Sequence, residues 1–422
     1  MKLDHSRSQM CVFTQIVELY TLTKAAKKEG RRILLSDLDL IRNAAMVSAH
    51  GKIVWVGEEK RLPKEFNKVK KEVTLSGAIV LPGFVESHTH LLFGGSRASE
   101  FDQRNQGVSY QEIARLGGGI LSSIRKTRKA SHAELLKSGQ ERVEAFIKQG
   151  VTSLEVKSGY ALNFSGERKI LKVANELKKI QIIKTYLGAH ALPPEFKSAE
   201  LYIESIIQKD FPRIKSQKLA QRVDIFVENG FFSRELGQKY LQAARKLGLD
   251  LCIHADQFSL SGGADLAIAN QALSADHLIQ VGANEIAKLA RSNVTCTLLP
   301  SADLYMKCAF PPARALIDAG ARVALATDFN PGTCPTQDLS LVGVLARIEM
   351  KMTLAEVIGA YTIGGAYALG QQASIGSLEP GKDANFVVLK SPLEDLFYQI
   401  ASSPVRETWF RAKKVFAFNC DT

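Results

Sequence analysis

Eight short runs rich in β-branched and apolar residues lie between residues 85 and 328, separated by polar stretches with helical spacing. They cover residues 85–90, 151–156, 182–190, 223–228, 249–254, 272–277, 294–299 and 323–328. Strand-like runs alternating with helical patterns indicate βα units and a parallel sheet. Eight units predict an α/β chain with a closed (β/α)8 barrel. In such a barrel the C-terminal strand ends surround one mouth, where chemistry is done. The polar residues of the runs fall at those ends: His88, His90, Lys157, His190, Glu228, His254, His277 and Asp328. Five of the chain's eight histidines are among them.

The barrel leaves both ends of the 422-residue chain over. Residues 53–57 and 72–80 alternate like strands, as do 383–389 and 405–418. The expectation is a small composite β-sandwich domain from residues 1–80 and 373–422, with the barrel over 81–372. Hydrophobic residues at 45% and charged residues at 23% are ordinary globular usage, which excludes a disordered or collagen-like chain. The formal charge is +12, but the basic residues are scattered, and the densest groups, 68–71 and 125–129, lack interleaved aromatics. That pattern fits a small anionic substrate better than nucleic acid. The six cysteines, at 11, 252, 296, 308, 334 and 420, form no C-x-x-C pair and read as free thiols of a reducing compartment. No apolar run reaches about 18 residues, and residues 1–30 hold no signal-like apolar stretch. A cytoplasmic protein with no membrane contact is expected.

His88-Thr89-His90 is an H-x-H, and period two puts both imidazoles on one face of a strand. Two neutral imidazoles make half a site for zinc or iron. His254 and His277 end consecutive runs, and Asp328 ends a run of apolar and small residues where an unpaired carboxylate is costly to bury. Together these strand ends predict a metal site.

The order P-G-F-x-x-x-H-T-H, a fifth-strand histidine, a sixth-strand histidine and an eighth-strand aspartate resembles the amidohydrolase superfamily of metal-dependent hydrolases. The β-flanks, with residues 376–384 (GSLEPGKDA), are similar to that superfamily's composite β-domain. Four longer motifs, HLLFGGSR at 90–97, EVKSGY at 155–160, LGAH at 187–190 and ATDFNPGT at 326–333, resemble one branch more closely. Its members hydrolyse the cyclic amide of 4-imidazolone-5-propanoate to N-formimidoyl-L-glutamate in histidine degradation. The resemblance implies one Zn2+ or Fe3+ per chain, held by His88, His90, His254 and Asp328. It implies substrate contacts from Arg97, Tyr160, His190, Gln257, His277, Asn330, Gly332 and Thr333, catalytic roles for Asp328 and His277, and a homodimer.

Some relatives carry Glu where this chain has Gln257, and an amide cannot serve as a base, although it can orient a ring. Glu228 stands where binuclear members place a bridging group, so it is either such a bridge or a supporting carboxylate. With no lysine there, one metal is favoured. Cys334, beside the eighth-strand loop, has no activating partner in sequence and is read as packing. Two rival functions remain. Another cyclic amidohydrolase or nucleobase deaminase would share the metal set but not need Arg97, Tyr160 and Asn330. A non-catalytic barrel binding protein would not need the complete ligand set.

Overall fold

The computed structural model describes residues 9–108, 112 and 117–418; His5 and Cys420 lie outside them. The chain opens with four strands, β1 (Met10–Tyr20), β2 (Leu40–Ala49), β3 (Lys52–Glu58) and β4 (Glu72–Pro82). Eight follow in the middle of the chain: β5 (Phe84–Glu86), β6 (Val151–Lys157), β7 (Gln181–Ala189), β8 (Arg222–Val227), β9 (Asp250–Ala255), β10 (Ser274–His277), β11 (Thr295–Leu298) and β12 (Arg322–Leu325). Three close the chain, β13 (Phe386–Leu389), β14 (Val405–Phe410) and β15 (Lys413–Ala417).

The outer strands form one seven-stranded mixed sheet in the order β15-β14-β13-β4-β1-β2-β3. The N- and C-terminal segments therefore meet where β13 pairs antiparallel with β4. The sheet curls over its own core. Phe13 on β1 lies edge-on to Phe386 and Trp409, with ring centroids 5.0 and 5.3 Å away, and those two rings stack on each other. Two strands of this sheet, β1 and β2, were not singled out in the sequence. The ladder of β1 slips between Phe13 and Ile16, and Gln15 there is left-handed (φ 57°), so a bulge hides the alternation.

The eight middle strands pair in chain order, all parallel, as β5 to β12. Helices between them begin where sequence chemistry directs. Ser131 and Glu134 form a reciprocal cap on His132–Ile147, Ser233 caps Arg234–Lys246, and Asn163 caps Phe164–Ala174. The outer sheet feeds straight into the barrel through Gly83, whose N–H donates to Asn385. A Cβ at Gly83 would lie 2.3 Å from the Thr152 hydroxyl, so only glycine lets β4 turn into β5.

The ring closes between the first and last strands, beyond the regular part of each. Regular β5 ends at Glu86, before the H-x-H. Residues 88–90 are instead held against 328–329: Asp328 N–H donates to the His88 carbonyl at 3.1 Å and His90 N–H to the Phe329 carbonyl at 2.9 Å. Thr89 and Phe329 make the matching bridge. Glu86, fully buried, reinforces the seam by accepting from the N–H groups of His88 and Thr327.

The helical chain after residue 354 packs directly on β12. A Cβ at Gly364 would lie 2.0 Å from the Val323 carbonyl oxygen, although its φ of −56° suits any residue. Gly364→Ala must therefore push that helix off the strand that carries Asp328. It should cost roughly 1–3 kcal/mol in chemical denaturation. An unchanged denaturation midpoint would show that the helix moves freely at that contact.

Candidate metal centre

Of the strand-end residues, His90, His190, His254, His277 and Asp328 line a cavity of about 610 Å³, and His88 packs against them. The backbone bends to deliver them. His277 ends β10 with φ 78°, and Asp328, three residues past β12, has φ 55°. A left-handed non-glycine residue costs of order 1–3 kcal/mol and persists only where its surroundings fix it. Asp328 is fixed through its backbone on both sides: its N–H donates to His88, and its carbonyl accepts from Asn330 Nδ2 at 2.7 Å.

Four imidazoles crowd together here. His88 lies 4.6 Å from His254, 5.5 Å from His90 and 5.6 Å from His277, centroid to centroid. Asp328 Oδ1 is 3.5 Å from His88 Nε2 and 3.6 Å from His90 Nε2. Two triads have ligand atoms within 4.8 Å of one another: His88, His90 and Asp328, and His88, His254 and His277. His88 belongs to both. The four expected residues are thus split between two triads that share His88, and His254 groups with His277 rather than with His90 and Asp328.

The donor chemistry fits a cation. His88 Nδ1 faces Asp276 Oδ2 at 2.7 Å; a carboxylate can only accept, so Nδ1 carries the proton and the buried Nε2 presents a lone pair with no hydrogen-bond partner. His90 Nδ1 and His277 Nδ1 are likewise buried without a partner. Burial, together with positive neighbours, holds the pKa values of His88, His90 and His277 well below the ordinary imidazole value, so all three are neutral, as metal ligands must be. His254 differs. Burial opposes its charge, but the adjacent Asp224 outweighs that and raises its pKa. Burial pushes the Asp328 carboxyl up to about 7, against the pull of His254 and Lys157.

Beneath the imidazoles lies a buried ionic layer that the sequence did not disclose. Lys157 on β6 sits among Asp224 on β8 at 2.7 Å, Glu155 at 3.1 Å and Asp276 on β10 at 3.4 Å. Asp224 Oδ2 is 2.9 Å from His254 Nδ1, though off the line of its N–H bond, and Asp224 Oδ1 accepts from the His254 backbone. The one available signal was period two: Glu155 and Lys157 fall on the same face of a fully buried strand.

Arg97, Tyr160, His190, Gln257 and Thr333 line the cavity walls. Arg97 gives Nε to Glu100 at 2.8 Å, and Glu100 also accepts from Gly119 N–H. A Cβ at Gly332 would lie 2.0 Å from Arg97 Nη1, so glycine makes room for the guanidinium. Asn330 also lines the cavity, but its Oδ1 accepts from the N–H groups of Gly332, Thr333 and Cys334, which gives it the work of shaping its own loop. His190 donates Nδ1–H to the Gly159 carbonyl and stacks on His90 with centroids 4.9 Å apart. Tyr160 is set by Glu167, whose buried carboxylate accepts from the N–H groups of Gly159, Ala161 and Leu162. Glu228 accepts from Phe258 N–H and the Ser259 hydroxyl and lies outside the cavity lining, so it anchors the loop after β9. Cys334 is buried with Sγ 3.1 Å from the Thr327 carbonyl, a packing role.

An eight-stranded parallel barrel with a histidine–aspartate cluster at its mouth and a sheet built from both chain ends defines a class of metal-dependent hydrolases. The sequence model of the amidohydrolase family matches residues 79–415, and the chain belongs to that family. The imidazolonepropionase of Bdellovibrio bacteriovorus is 54% identical over 413 residues, 97% of this chain and 98% of that one. The imidazolonepropionase of Clostridium tetani is 42% identical, over 85% of this chain and 87% of its own. Among solved structures, a triazine hydrolase variant superposes with a TM-score of 0.71 at 17% identity, covering 97% of this chain and 95% of that one. A zinc-bound adenosine deaminase from Xanthomonas campestris gives 0.67 at 18%, covering 96% and 92%. At that identity both speak for the fold.

The raised carboxyl of Asp328 has a measurable consequence without metal. Its folded pKa lies above the unfolded value, so the folded state holds an extra proton between about pH 4 and pH 7, and stability falls as pH rises through that window. Chelated Asp328→Asn protein should therefore be more stable than chelated wild type at pH 8, by at least about 1 kcal/mol, and the gap should shrink in acid. Thermal denaturation of both proteins at pH 5 and pH 8 reads this directly; an equal gap at both would contradict it.

Proposed function

We propose that the protein hydrolyses the cyclic amide of 4-imidazolone-5-propanoate to N-formimidoyl-L-glutamate, the imidazolonepropionase reaction of histidine degradation. The observation that carries this reading is a single cavity with a neutral imidazole–carboxylate cluster on its floor and Arg97 on its wall, wedged between Glu100 and Gly332. A ring amide with a short carboxylate arm matches those two features. A neutral base bound for deamination would leave Arg97 unused. The identity shared with curated imidazolonepropionases supports the same substrate.

His88, His90, His254 and Asp328 would hold one zinc or ferric ion. Bound there, such an ion lowers the pKa of water towards ~7 and polarises a carbonyl. Arg97, with Nε committed to Glu100, turns its remaining N–H groups to the propanoate arm. His190 and Tyr160 flank the ring, and the fixed Nδ1–H tautomer of His190 leaves Nε2 as an acceptor for a ring N–H. Water oxygen bonds to the amide carbon, and Asp328 takes the proton that water gives up. The carbon–nitrogen bond then breaks, and Asp328 returns that proton to the departing ring nitrogen, a base turned acid. Neutral His277 donates to the amide oxygen as charge develops there. Five unbridged cysteines among the described residues accord with a cytoplasmic enzyme, and the family resemblance with a homodimer.

Loss of imidazolonepropionate absorbance tests the reading. His277→Ala should keep its metal and lose roughly 100-fold or more in kcat. His254→Ala should lose metal and activity together. If His277→Ala loses metal in step with activity, His277 is a ligand and the division of roles is wrong. Arg97→Ala should weaken substrate binding by about 1.5–3 kcal/mol, read as a raised KM, and Arg97→Lys should recover only part. Unchanged kinetics in Arg97→Ala would remove the arginine from the substrate site.

A further inference from the structure

We propose that Lys157 is a positioning residue: its ammonium ties Asp224 to Asp276 and thereby aims His254 and His88 at one cation. The inference rests on the metal-centre reading above and deepens it. Lys157 is fully buried and does not line the cavity, so it cannot touch substrate. Its Nζ is 2.7 Å from Asp224 Oδ2 and 3.4 Å from Asp276 Oδ2. Those same two oxygens face the histidines: Asp224 Oδ2 at 2.9 Å from His254 Nδ1 and Asp276 Oδ2 at 2.7 Å from His88 Nδ1. One ammonium thus shares an oxygen with each of the two imidazoles, across β6, β8 and β10.

The arrangement has a physical logic. A carboxylate held only by an imidazole can turn about its own Cβ–Cγ bond, and the ring turns with it. Held from a second direction by the ammonium, it stays put: at His88 the hydrogen bond from Nδ1–H fixes the tautomer with it, and at His254 the close Asp224 oxygen favours the same one electrostatically. Both Nε2 atoms are then presented as lone pairs towards the same point. Stability does not account for the lysine. Burying an ammonium among carboxylates carries a desolvation cost, and well-packed apolar substitutes for such groups are often neutral or better. Glu155, at 3.1 Å, is paired separately with Arg222 and the Thr185 hydroxyl, so it balances charge without touching a histidine. Groups in this outer position typically change metal affinity 10–100-fold when removed.

The test compares cobalt(II) binding to metal-free wild type, Lys157→Met and Lys157→Met/Glu155→Gln, by competition with a chelator and by the visible cobalt spectrum. Both variants should bind cobalt about 10–100-fold more weakly, with altered band intensity. At saturating metal their KM for substrate should match wild type. The double variant loses one charge of each sign, so it should recover much of the thermal stability lost by the single variant, but not the affinity. If affinity returns along with stability, Lys157 merely balances charge and the proposal fails. Equal cobalt affinity in all three proteins also overturns it. If wild type itself binds no cobalt, the metal-centre reading fails instead. Should neither variant fold, nitrogen NMR of the metal-free wild type at alkaline pH, where both rings are neutral, decides: the single ring protons of His88 and His254 belong on Nδ1, and a neutral ring of either with its proton on Nε2 contradicts the proposal.

Discussion

The seam between the first and last barrel strands governs everything else in this protein. The backbone of residues 88–90 hydrogen-bonds to that of 328–329, so closing the barrel and bringing His88 and His90 to Asp328 are one event. The segments that carry His88, His90 and Asp328, almost 240 residues apart in the chain, are held by main-chain bonds rather than by side-chain contacts alone. Glu86 under the seam and Gly364 behind β12 both serve that closure. The site is therefore as rigid as the barrel itself, which suits a centre that must hold ligands to a fraction of an ångström.

Around that seam the protein concentrates groups that do not favour folding. Asp328 is a carboxyl pushed up to about 7, several imidazole nitrogens are buried without partners, and two strand-end residues have left-handed backbones. Each is a cost in the metal-free protein, and a cation bound among them would offset several at once. Burial, helped by the Lys157 charge, keeps His88, His90 and His277 neutral, while Asp276 and Asp224 of the ionic layer below face His88 and His254.

The barrel was legible because its strands are apolar runs that end abruptly in a charged or imidazole side chain, a pattern that survives without any knowledge of neighbours. His88, His90, His254, His277 and Asp328 were visible for that reason. Asp224 and Asp276 were not, because a carboxylate inside a strand gains meaning only from the lysine and histidine facing it across the barrel. Glu228 drew attention at the end of β8, yet it anchors the loop after β9, while Asp224, four residues earlier, reaches the site. Asn330, expected against substrate, lines the cavity, and its side-chain carbonyl also shapes the loop that brings Gly332 to Arg97. In the outer sheet, β1 was obscured by the bulge at Gln15, which interrupts the period of two.

One cation held at the seam would make this barrel a cyclic amidohydrolase for imidazolonepropionate. Stepwise addition of zinc or iron to chelated protein, with the rate of imidazolonepropionate loss measured at each step, tests it most directly. Turnover should be negligible without metal, rise linearly, and break sharply at one equivalent per chain. Full turnover in the chelated protein, or a break at two equivalents, would contradict it.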